Sequence, residues 1–437
     1  MTSSLVLLLG EKPVKTSFYN LYIPIDKADY ILYNTLSGAV FKVNKEGIEA
    51  IQKLREEKLE QCLVHELKRN HIWIDDDVDE KAVFKVLRDR HKYRGTRAYF
   101  CVYMTYDCNL ACNYCYVANV IGIKRPEYLK GKTLNAVIKF IKNSAQENGI
   151  EELFIVFAGG EPTLNISGVL KTLEILDSWT KKKGLKFKGL MWSNGTLFTR
   201  DIVQELLKYN IFVQIALAGS SKIHNKKRGL YKNIIKTLRM FRESGLDFGI
   251  RVDVDKENFH SMEDMLDDLK ERVGRGLYIK FFPILPGAEE DPWSSLCLEE
   301  GELASISRLW NLAMKKGFKV VISPLRRYEY CPYLTDYSYN IDPFGNIYKC
   351  DLPGKEYKIG TINTDGKLLR QYQYYDWMSR DSLNMKKCRN CKYLPACGGG
   401  CPGIAYYKYQ TYRVGECHEK YLIKERIKFL LKRRCQQ

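Results

Sequence analysis

No apolar run in this sequence approaches the ~18–20 residues that a membrane-spanning helix requires. The first apolar run, residues 4–10, has no basic region before it and no small-residue cleavage site after it, which argues against a signal peptide. A chain that lacks both features is expected in the cytoplasm, without a membrane partner. Its 437 residues are enough for two or three domains.

The sequence also has no zinc-finger spacing and no aromatic signature of an RNA-binding domain, which argues against nucleic acid as the partner. Its net charge of +18 nevertheless favours an acidic partner through electrostatic steering. Because the basic residues are spread along the chain, an acidic peptide segment fits at least as well as nucleic acid. A lysine-rich solvated surface is the plain alternative.

Cysteine, by contrast, is abundant. Fourteen cysteines without a secretory signal predict metal or redox chemistry, and ten of them fall into two groups of defined spacing. The first group is Cys108, Cys112 and Cys115, in a C-x3-C-x2-C loop. Thiolates this close rarely form disulfides with one another, and they usually hold a metal or an iron–sulfur cluster. A four-iron cluster would keep one iron open, whereas a zinc knuckle that borrows a distant ligand is the alternative.

Residues 1–92 form the first predicted unit. Strand-like runs at 18–24, 29–34 and 39–43 precede helical periods at 45–55, 59–68 and 81–89. Three strands and three helices make a small winged-helix-like α+β module. Such a module can capture an extended peptide by strand addition, bind DNA, or serve only as a structural cap.

Strands and helices alternate between residues 97 and 320. The strand-like runs are 97–104, 153–158, 187–192, 211–216, 248–252 and 278–282, and the helical runs are 134–144, 169–182, 200–207, 230–244, 261–272 and 299–315. Thr199 fits an N-cap and Gly245 a C-terminal helix stop. Six βα units predict an α/β fold with a parallel sheet, most simply a partial (β/α)6 barrel. The cysteine loop follows the first strand, so we expect it at the mouth where ligands of such sheets bind.

A second motif follows the second of these strands, at residues 157–164. Gly159 and Gly160 allow the backbone to approach a ligand closely, and Glu161 offers an acceptor for an ammonium group. Taken alone, the Gly-Gly-Glu-Pro sequence is also consistent with a simple turn.

The spacing of the first cysteine group, with Tyr114 beside Cys115, resembles the signature of radical S-adenosylmethionine (SAM) enzymes. In that family the open iron chelates SAM and supplies the electron that cleaves it. One strand later, the Gly-Gly-Glu-Pro sequence resembles the family's motif for the amino group of SAM. By this resemblance the expected SAM contacts are Tyr114, Gly159, Gly160, Glu161, Pro162, Ser193, Asn194, Arg228 and Arg251. For the two arginines, a surface charge is the alternative.

The second cysteine group lies in the third predicted unit, residues 321–437. A Gly-x4-Cys element and a C-x2-C-x5-C-x3-C run together resemble the SPASM extension of radical SAM enzymes, although zinc ribbons also use C-x2-C pairs. The resemblance implies two auxiliary four-iron clusters. By position, Cys331, Cys350 and Cys401 would bind the inner cluster, and Cys388, Cys391, Cys397 and Cys417 the outer one. Residues 323–330 lack a cysteine that some relatives carry, so the inner cluster is expected to have an open iron or an oxygen ligand.

Asp351 directly follows Cys350, where sulfatase-maturing relatives place a proposed proton acceptor. A turn-capping role is the alternative reading of the same residue.

The resemblance covers nearly the whole chain and implies a peptide-modifying oxidoreductase with three 4Fe-4S clusters and SAM. Residues 1–92 would bind the leader of a ribosomally synthesised precursor peptide. A 5′-deoxyadenosyl radical would take a hydrogen from that peptide, and a thioether crosslink is favoured over carbon–carbon or ether links and epimerisation. A flavodoxin or ferredoxin would be the external electron donor.

Two departures from the family pattern affect this reading. Ala158 stands where sulfatase-maturing relatives carry glutamine, which counts against formylglycine formation. Residues 216–219 read Ala-Leu-Ala-Gly where many relatives read Ser-x-Asp-Gly, so another group or water is expected at the ribose. An iron–sulfur or zinc regulator that binds nucleic acid is the alternative from another class. It predicts no SAM cleavage, and the Gly-Gly-Glu-Pro motif argues against it.

Overall fold

The computed structural model describes residues 12–115, 117–118, 127–284, 294–323, 325, 327–351 and 357–434. Residues 1–11 of the predicted first unit lie outside this set. The strands are β1 (Val14–Thr16), β2 (Asn20–Pro24), β3 (Asp29–Asn34), β4 (Val40–Asn44), β5 (Trp73–Asp75), β6 (Arg97–Thr105), β7 (Glu152–Gly159), β8 (Lys186–Ser193), β9 (Ile211–Leu217), β10 (Phe248–Val254), β11 (Tyr278–Pro283), β12 (Lys319–Val320), β13 (Tyr339–Ile341), β14 (Asn346–Tyr348), β15 (Lys358–Ile362) and β16 (Leu368–Arg370). The helices are α1 (Lys45–Gln52), α2 (Gln61–Arg69), α3 (Glu80–Tyr93), α4 (Gly131–Glu147), α5 (Ile166–Lys183), α6 (Arg200–Leu206), α7 (Ser221–Lys227), α8 (Tyr231–Ser244), α9 (Met262–Arg272), α10 (Glu300–Leu303), α11 (Ile306–Lys315), α12 (Tyr372–Met378), α13 (Leu394–Cys397), α14 (Pro402–Tyr409) and α15 (Glu419–Arg434).

The largest sheet has the order β12-β11-β10-β9-β8-β7-β6-β13-β14-β15-β16. Strands β6 to β11 are parallel and adjacent in chain order, so the predicted α/β fold with a partial (β/α)6 barrel is confirmed. Thr199 caps α6 and Gly245 ends α8, as predicted. Strand β13 adds to β6 in parallel, and β14 to β16 continue antiparallel. The cysteine-rich C-terminal region therefore extends the barrel sheet.

Side chains on β6 divide between two environments because successive residues of a strand point to opposite faces. Phe100 and Val102 pack in the main core beneath the surrounding helices. Cys101 and Tyr103 face the barrel interior, where they meet Tyr333 from the C-terminal region. The interior patch is thus shared by the barrel and the cysteine-rich region.

The N-terminal part contains an antiparallel sheet of order β2-β3-β4 and a small β1-β5 pair that the sequence did not predict. One face of the three-stranded sheet packs on α1 and α2 through Leu32, Ile51 and Leu67. The opposite face packs against Ile423 and Ile427 of α15. This sheet is therefore held between its own helices and the C-terminal helix.

One helical prediction is wrong in detail, and one helix was not predicted. The predicted continuous helix at 299–315 is interrupted, because Glu299 and Glu302 cap a separate short helix, α10, before α11 begins. Helix α7 was missed since its seven residues are mostly polar and show no apolar period. Within the described residues, no helix combines the length and apolar character needed to cross a membrane.

Candidate active site and cysteine groups

The first cysteine group lies on the loop that leaves the carboxyl end of β6, as expected from its place in the sequence. Asp107 anchors this loop: one carboxylate oxygen accepts from the Cys108 main-chain NH (3.0 Å) and the other from the Tyr128 hydroxyl (2.6 Å). The Cys115 NH donates to the Cys112 carbonyl (3.2 Å). These bonds hold the three thiols on one turn at the barrel mouth.

The three thiols of this group are free cysteines. Burial raises the pKa of Cys108 to about 11. Burial also raises the pKa of Cys112, and the positive charge of Arg228 offsets part of that rise. The Cys108 Sγ faces the Leu110 NH (3.5 Å) and the Asn194 amide (3.8 Å). No three His, Cys, Asp or Glu side chains in the described part of the chain stand close enough to share one metal ion. A four-iron cluster makes a different demand, because each thiolate binds its own iron.

The Gly-Gly-Glu-Pro segment packs directly on the start of the cysteine loop. The Gly160 NH donates to the Thr105 carbonyl (2.9 Å) and the Glu161 NH to the Asp107 carbonyl (2.8 Å). A side chain has no room here: a Cβ on Gly159 would lie 2.0 Å from the Thr105 oxygen, and one on Gly160 would lie 2.1 Å from the Asp107 oxygen. The glycines therefore let the second motif fix the position of the first.

Glu161 is fully buried, and its carboxylate accepts four hydrogen bonds from the protein. The donors are the Thr163 NH (3.1 Å) and hydroxyl (2.6 Å), the Ser193 hydroxyl (2.8 Å) and the Asn194 NH (2.7 Å). Burial raises the pKa of Glu161, and these bonds lower it in part. The carboxylate thus ties the loop after β7 to the loop after β8.

The structure brings Tyr114 and Arg228 together, whereas Arg251 has other partners. The Arg228 Nη1 donates to the Tyr114 hydroxyl (3.0 Å), while its Nε is buried with no hydrogen-bond partner among the described residues. Arg251 instead donates to Asp253 (2.7 Å) and lies over the Phe282 ring, 4.5 Å from its centroid. A buried guanidinium NH without a partner is rare in proteins, and it marks a place where an anionic group fits.

The inner cysteines of the second group converge at α14. A Cβ built on Gly403 would lie 3.6 Å from the Cys350 Sγ and 3.7 Å from the Cys401 Sγ, so both thiols face one point. Cys331 lies close enough to Cys401 for the two to interact electrostatically, and burial raises the pKa of Cys331 to about 12. The structure therefore brings the three predicted inner cysteines together.

The outer cysteines form a neighbouring set. Cys388 interacts electrostatically with Cys417 and Cys391, and burial raises its pKa to about 11. Cys397 ends α13, whose first residue, Leu394, donates its NH to the Cys391 carbonyl (3.1 Å). The described contacts join Cys397 to this set through the backbone.

Asp351 lies at the junction between the barrel interior and the inner cysteines. Tyr333 donates a hydrogen bond to its carboxylate, and Tyr103 donates to its main-chain carbonyl (2.7 Å). Burial raises the pKa of Asp351, which Tyr333, Arg251 and Cys101 lower in part. Sequence reasoning missed Tyr103, Tyr333 and Cys101. The alternation along β6 placed Tyr103 and Cys101 on one face, but only the fold brings Tyr333 to them.

A cavity of about 660 Å³ lies in the gap where the partial barrel does not close, between β6 and β11. It is lined by Tyr99 from β6, Phe282 from β11 and Tyr330 from the C-terminal region, and it reaches Cys331. Basic side chains, including Arg97 and Lys280, also line it. This cavity leads from the surface toward the inner cysteines.

Residues 102–269 match the radical SAM superfamily. The chain is 22% identical to the radical SAM cyclopropyl synthase TigE of Paramaledivibacter caminithermalis, across 92% of this chain and 92% of that protein. Among solved structures it resembles anSMEcpe with bound AdoMet and Cp18Cys peptide, with a TM-score of 0.62 and 18% identity over 77% of this chain and 98% of that one. Streptococcus suis SuiB bound to precursor peptide SuiA matches with a TM-score of 0.54 and 18% identity, over 92% and 98%. These structural likenesses establish the shared fold.

Proposed function

We propose that the chain is a radical SAM maturase that forms thioether crosslinks in a ribosomally synthesised precursor peptide. The observation that carries the proposal is that both cysteine groups border one patch of buried side chains inside the barrel. Cys115 of the first group and Cys331 of the second pack against this patch. A peptide held there would lie between a site that starts radical chemistry and a site that accepts the surplus electron.

We propose Cys108, Cys112 and Cys115 as ligands of the first 4Fe-4S cluster. When bound, that cluster and SAM supply a 5′-deoxyadenosyl radical, after reduction by a flavodoxin or ferredoxin. The donor set fits, because the three thiols are free and share one anchored turn. Asn194 would hold the Cys108 sulfur in place through its amide.

Arg228 is the residue whose surroundings fit SAM best. Its unpartnered Nε and its bond to Tyr114 leave one face of the guanidinium available to the SAM carboxylate. Glu161 already accepts four internal bonds, so we propose that it serves SAM mainly by holding the loops at the amino group in position. The remaining proposed contacts are Gly159, Gly160, Pro162, Ser193, Asn194 and Arg251.

We propose that Cys331, Cys350 and Cys401 hold the inner auxiliary cluster, and that Cys388, Cys391, Cys397 and Cys417 hold the outer one. Gly403 supports the inner assignment, since the absence of a side chain there leaves space between the Cys350 and Cys401 thiols. The inner cluster would then keep one iron that a peptide thiolate can bind.

In this reaction the peptide loses two hydrogens when a carbon–sulfur bond replaces one C–H and one S–H bond. One hydrogen leaves as an atom in 5′-deoxyadenosine, and the thiol proton and one electron leave separately. Asp351 is the proposed proton acceptor, because Tyr333 and Tyr103 hold it at the edge of the barrel interior. When bound, the auxiliary clusters held by the second cysteine group would supply the route by which this electron reaches an external acceptor of the ferredoxin type.

We propose that residues 1–92 bind the leader of the peptide by strand addition. Strand β4 lies at an edge of the three-stranded sheet, and its Lys42 side chain is 61% exposed. The net charge of +18 favours an acidic leader. The shared fold with SuiB, whose structure holds the precursor peptide SuiA, supports a peptide as the partner.

The first test is SAM cleavage. After anaerobic reconstitution with iron and sulfide, the enzyme with SAM and dithionite should release 5′-deoxyadenosine, measured by chromatography. Cys112→Ala should abolish this product, while Cys62→Ala, which removes an exposed cysteine outside both groups, should not. Equal product from all three proteins would contradict the assignment of the first cysteine group.

The second test identifies the bond. A candidate precursor, sought as a short open reading frame next to the gene, would be co-expressed with the enzyme, and its peptide analysed by mass spectrometry. Thioether formation predicts a loss of two hydrogens per crosslink and of one alkylatable thiol. A loss of two hydrogens with every thiol still alkylatable would replace thioether by a carbon–carbon or ether crosslink, and unchanged mass would indicate epimerisation.

A further inference from the structure

The N-terminal module forms part of the wall around the outer cysteines. Phe84, on α3, is completely buried and packs in one patch with Met385, Cys388 and Leu394. Cys391 packs against the same patch. Phe84 of the N-terminal module thus shields the outer cysteines from water.

Polar contacts from the same module hold the loop that carries these cysteines. The Thr35 hydroxyl donates to the main-chain carbonyl of Lys392 (2.6 Å), the residue after Cys391. The Lys81 ammonium donates to the Asn390 side chain (2.7 Å). Because Thr35 is completely buried, its bond fixes the loop against the end of β3.

Tyr19 also belongs to the interface between the N-terminal module and the outer cysteines, and its hydroxyl has no hydrogen-bond partner among the described residues. The side chain is 1% exposed, and its oxygen makes no hydrogen bond within the described residues. Its ring lies 6.5 Å from that of Phe84, and its hydroxyl is close enough to Cys391 to interact electrostatically. The nearby Glu80 carboxylate accepts instead from the Ser17 hydroxyl and the Phe18 NH.

A buried hydroxyl without a partner costs roughly 1–3 kcal/mol, so a native protein normally supplies an acceptor. A tyrosine hydroxyl is protonated at neutral pH and can therefore donate. Because the Tyr19 ring lies near Phe84, which packs with Cys388 and Cys391, the acceptor missing here belongs beside these cysteines. Sulfur atoms of an iron–sulfur cluster accept hydrogen bonds, and such bonds help to set its reduction potential.

We infer that the Tyr19 hydroxyl donates a hydrogen bond to a sulfur atom of the outer cluster, so that the N-terminal module helps to set the reduction potential of that cluster. The inference rests on the proposed ligation of that cluster by Cys388, Cys391, Cys397 and Cys417. Tyr19 immediately precedes β2, an edge strand of the sheet proposed to bind the leader. The hydroxyl would thus connect the peptide-binding module to the redox centre.

The test compares Tyr19→Phe with Tyr22→Phe, both made in a chain whose Cys108, Cys112 and Cys115 are alanine. Tyr22 is a matched control because it lies in the same module and packs against the core on the opposite face of the sheet. Potentiometric titrations followed by electron paramagnetic resonance would give the midpoint potential of the outer cluster. Removing the bond should lower it, so that at a fixed potential the reduced-to-oxidised ratio falls about 3- to 10-fold, where tenfold is about 60 mV for a one-electron couple.

A second measurement reports the hydrogen bond itself. Electron–nuclear double resonance in H₂O and D₂O should show an exchangeable proton coupled to the outer cluster, and Tyr19→Phe should lose this signal while Tyr22→Phe keeps it. If both variants match the parent in potential and in this signal, the inference is wrong.

Iron analysis separates this inference from the ligation on which it rests. The background protein should hold about eight irons, and Cys388→Ala with Cys391→Ala should remove about four. Unchanged iron would overturn the proposed ligation and the inference together. If the double cysteine variant loses four irons but Tyr19→Phe keeps the parent's midpoint potential and exchangeable-proton signal, the inference alone is overturned.

Discussion

Replacing Arg380 by methionine should strongly destabilise the C-terminal region. Arg380 is 2% exposed, and its guanidinium donates to the carbonyls of Tyr412 (2.8 Å), Gly399 (2.9 Å) and Gly400 (3.1 Å). Both glycines have left-handed backbones, with φ of 86° and 79°. Within the described residues Arg380 is the donor to the Tyr412 and Gly400 carbonyls, whereas the Gly399 carbonyl also accepts from the Glu416 NH (3.4 Å).

The size of the effect follows from the Tyr412 and Gly400 carbonyls, because the Gly399 carbonyl keeps its bond from the Glu416 NH. A buried acceptor that loses its donor costs roughly 1–3 kcal/mol, so the Arg380→Met variant would lose roughly 2–6 kcal/mol before the chain relaxes. A domain is typically stable by only about 5–15 kcal/mol. The free energy of unfolding of Arg380→Lys should lie between those of the parent protein and Arg380→Met, because an ammonium can replace some but not all of the hydrogen bonds of a guanidinium.

Urea unfolding, followed by tryptophan fluorescence and by the visible absorbance of the clusters, would measure this difference. Arg413→Met is the matched control, since Arg413 is 58% exposed and bonds only to Asp376 and Ser379 among the described residues. Its loss should cost at most about 1 kcal/mol. The reasoning is refuted if both methionine variants unfold at the same urea concentration.

Three further predictions concern the barrel. Gly160→Ala forces a Cβ to within 2.1 Å of the Asp107 oxygen, so the first cluster should be lost while about eight irons remain; a full set of about twelve irons would contradict this. Lys227→Met breaks a buried ion pair with Asp255 (2.6 Å) and should cost about 3–5 kcal/mol. Asp255→Asn in the same chain should partly restore this loss, because it removes the unpaired charge and keeps an oxygen for the Glu257 and Asn258 NH groups; equal urea midpoints for the single and double variants would count against it. Burial, and then the charge of Arg228, lower the pKa of His224 to about 3. Its unfolded value is about 6.5, so its stabilising contribution should be lost as the pH falls from about 6.5 toward 3. The urea midpoint should fall less between pH 7 and 5 in His224→Asn than in the parent, and parallel curves would exclude this role.

The barrel could be predicted from the sequence because its signals are local. Each strand is a short apolar run and each helix has an apolar period, so all six parallel strands appear within one or two residues of their predicted bounds. The capping residues Thr199 and Gly245 act over one turn of helix and were read correctly. Helix α7 was missed because its position depends on packing and on no apolar repeat.

The surroundings of the candidate site could not be read in the same way. Tyr19 and Cys391, or Tyr103 and Asp351, are separated by hundreds of residues and meet only when the sheet forms. Glu161 shows a related limit: the sequence indicated an acceptor, but only the fold shows that four internal donors already use it. Residue type predicted the chemistry, while the partners depend on long-range packing.

The pairing of β13 with β6 has a consequence for any attempt to exchange the cysteine-rich region between enzymes. In the pairing of β13 with β6, Tyr339 lies opposite Phe100 and Ile341 lies opposite Val102. The hydrogen-bond register between these strands, and not the length of the preceding linker, therefore sets the position of Cys350 relative to the barrel. A shift of one residue would turn each β13 side chain to the opposite face of the sheet. A chimaera that shifts residues 339–341 by a single position should misplace the inner cysteines, although every cysteine would still be present.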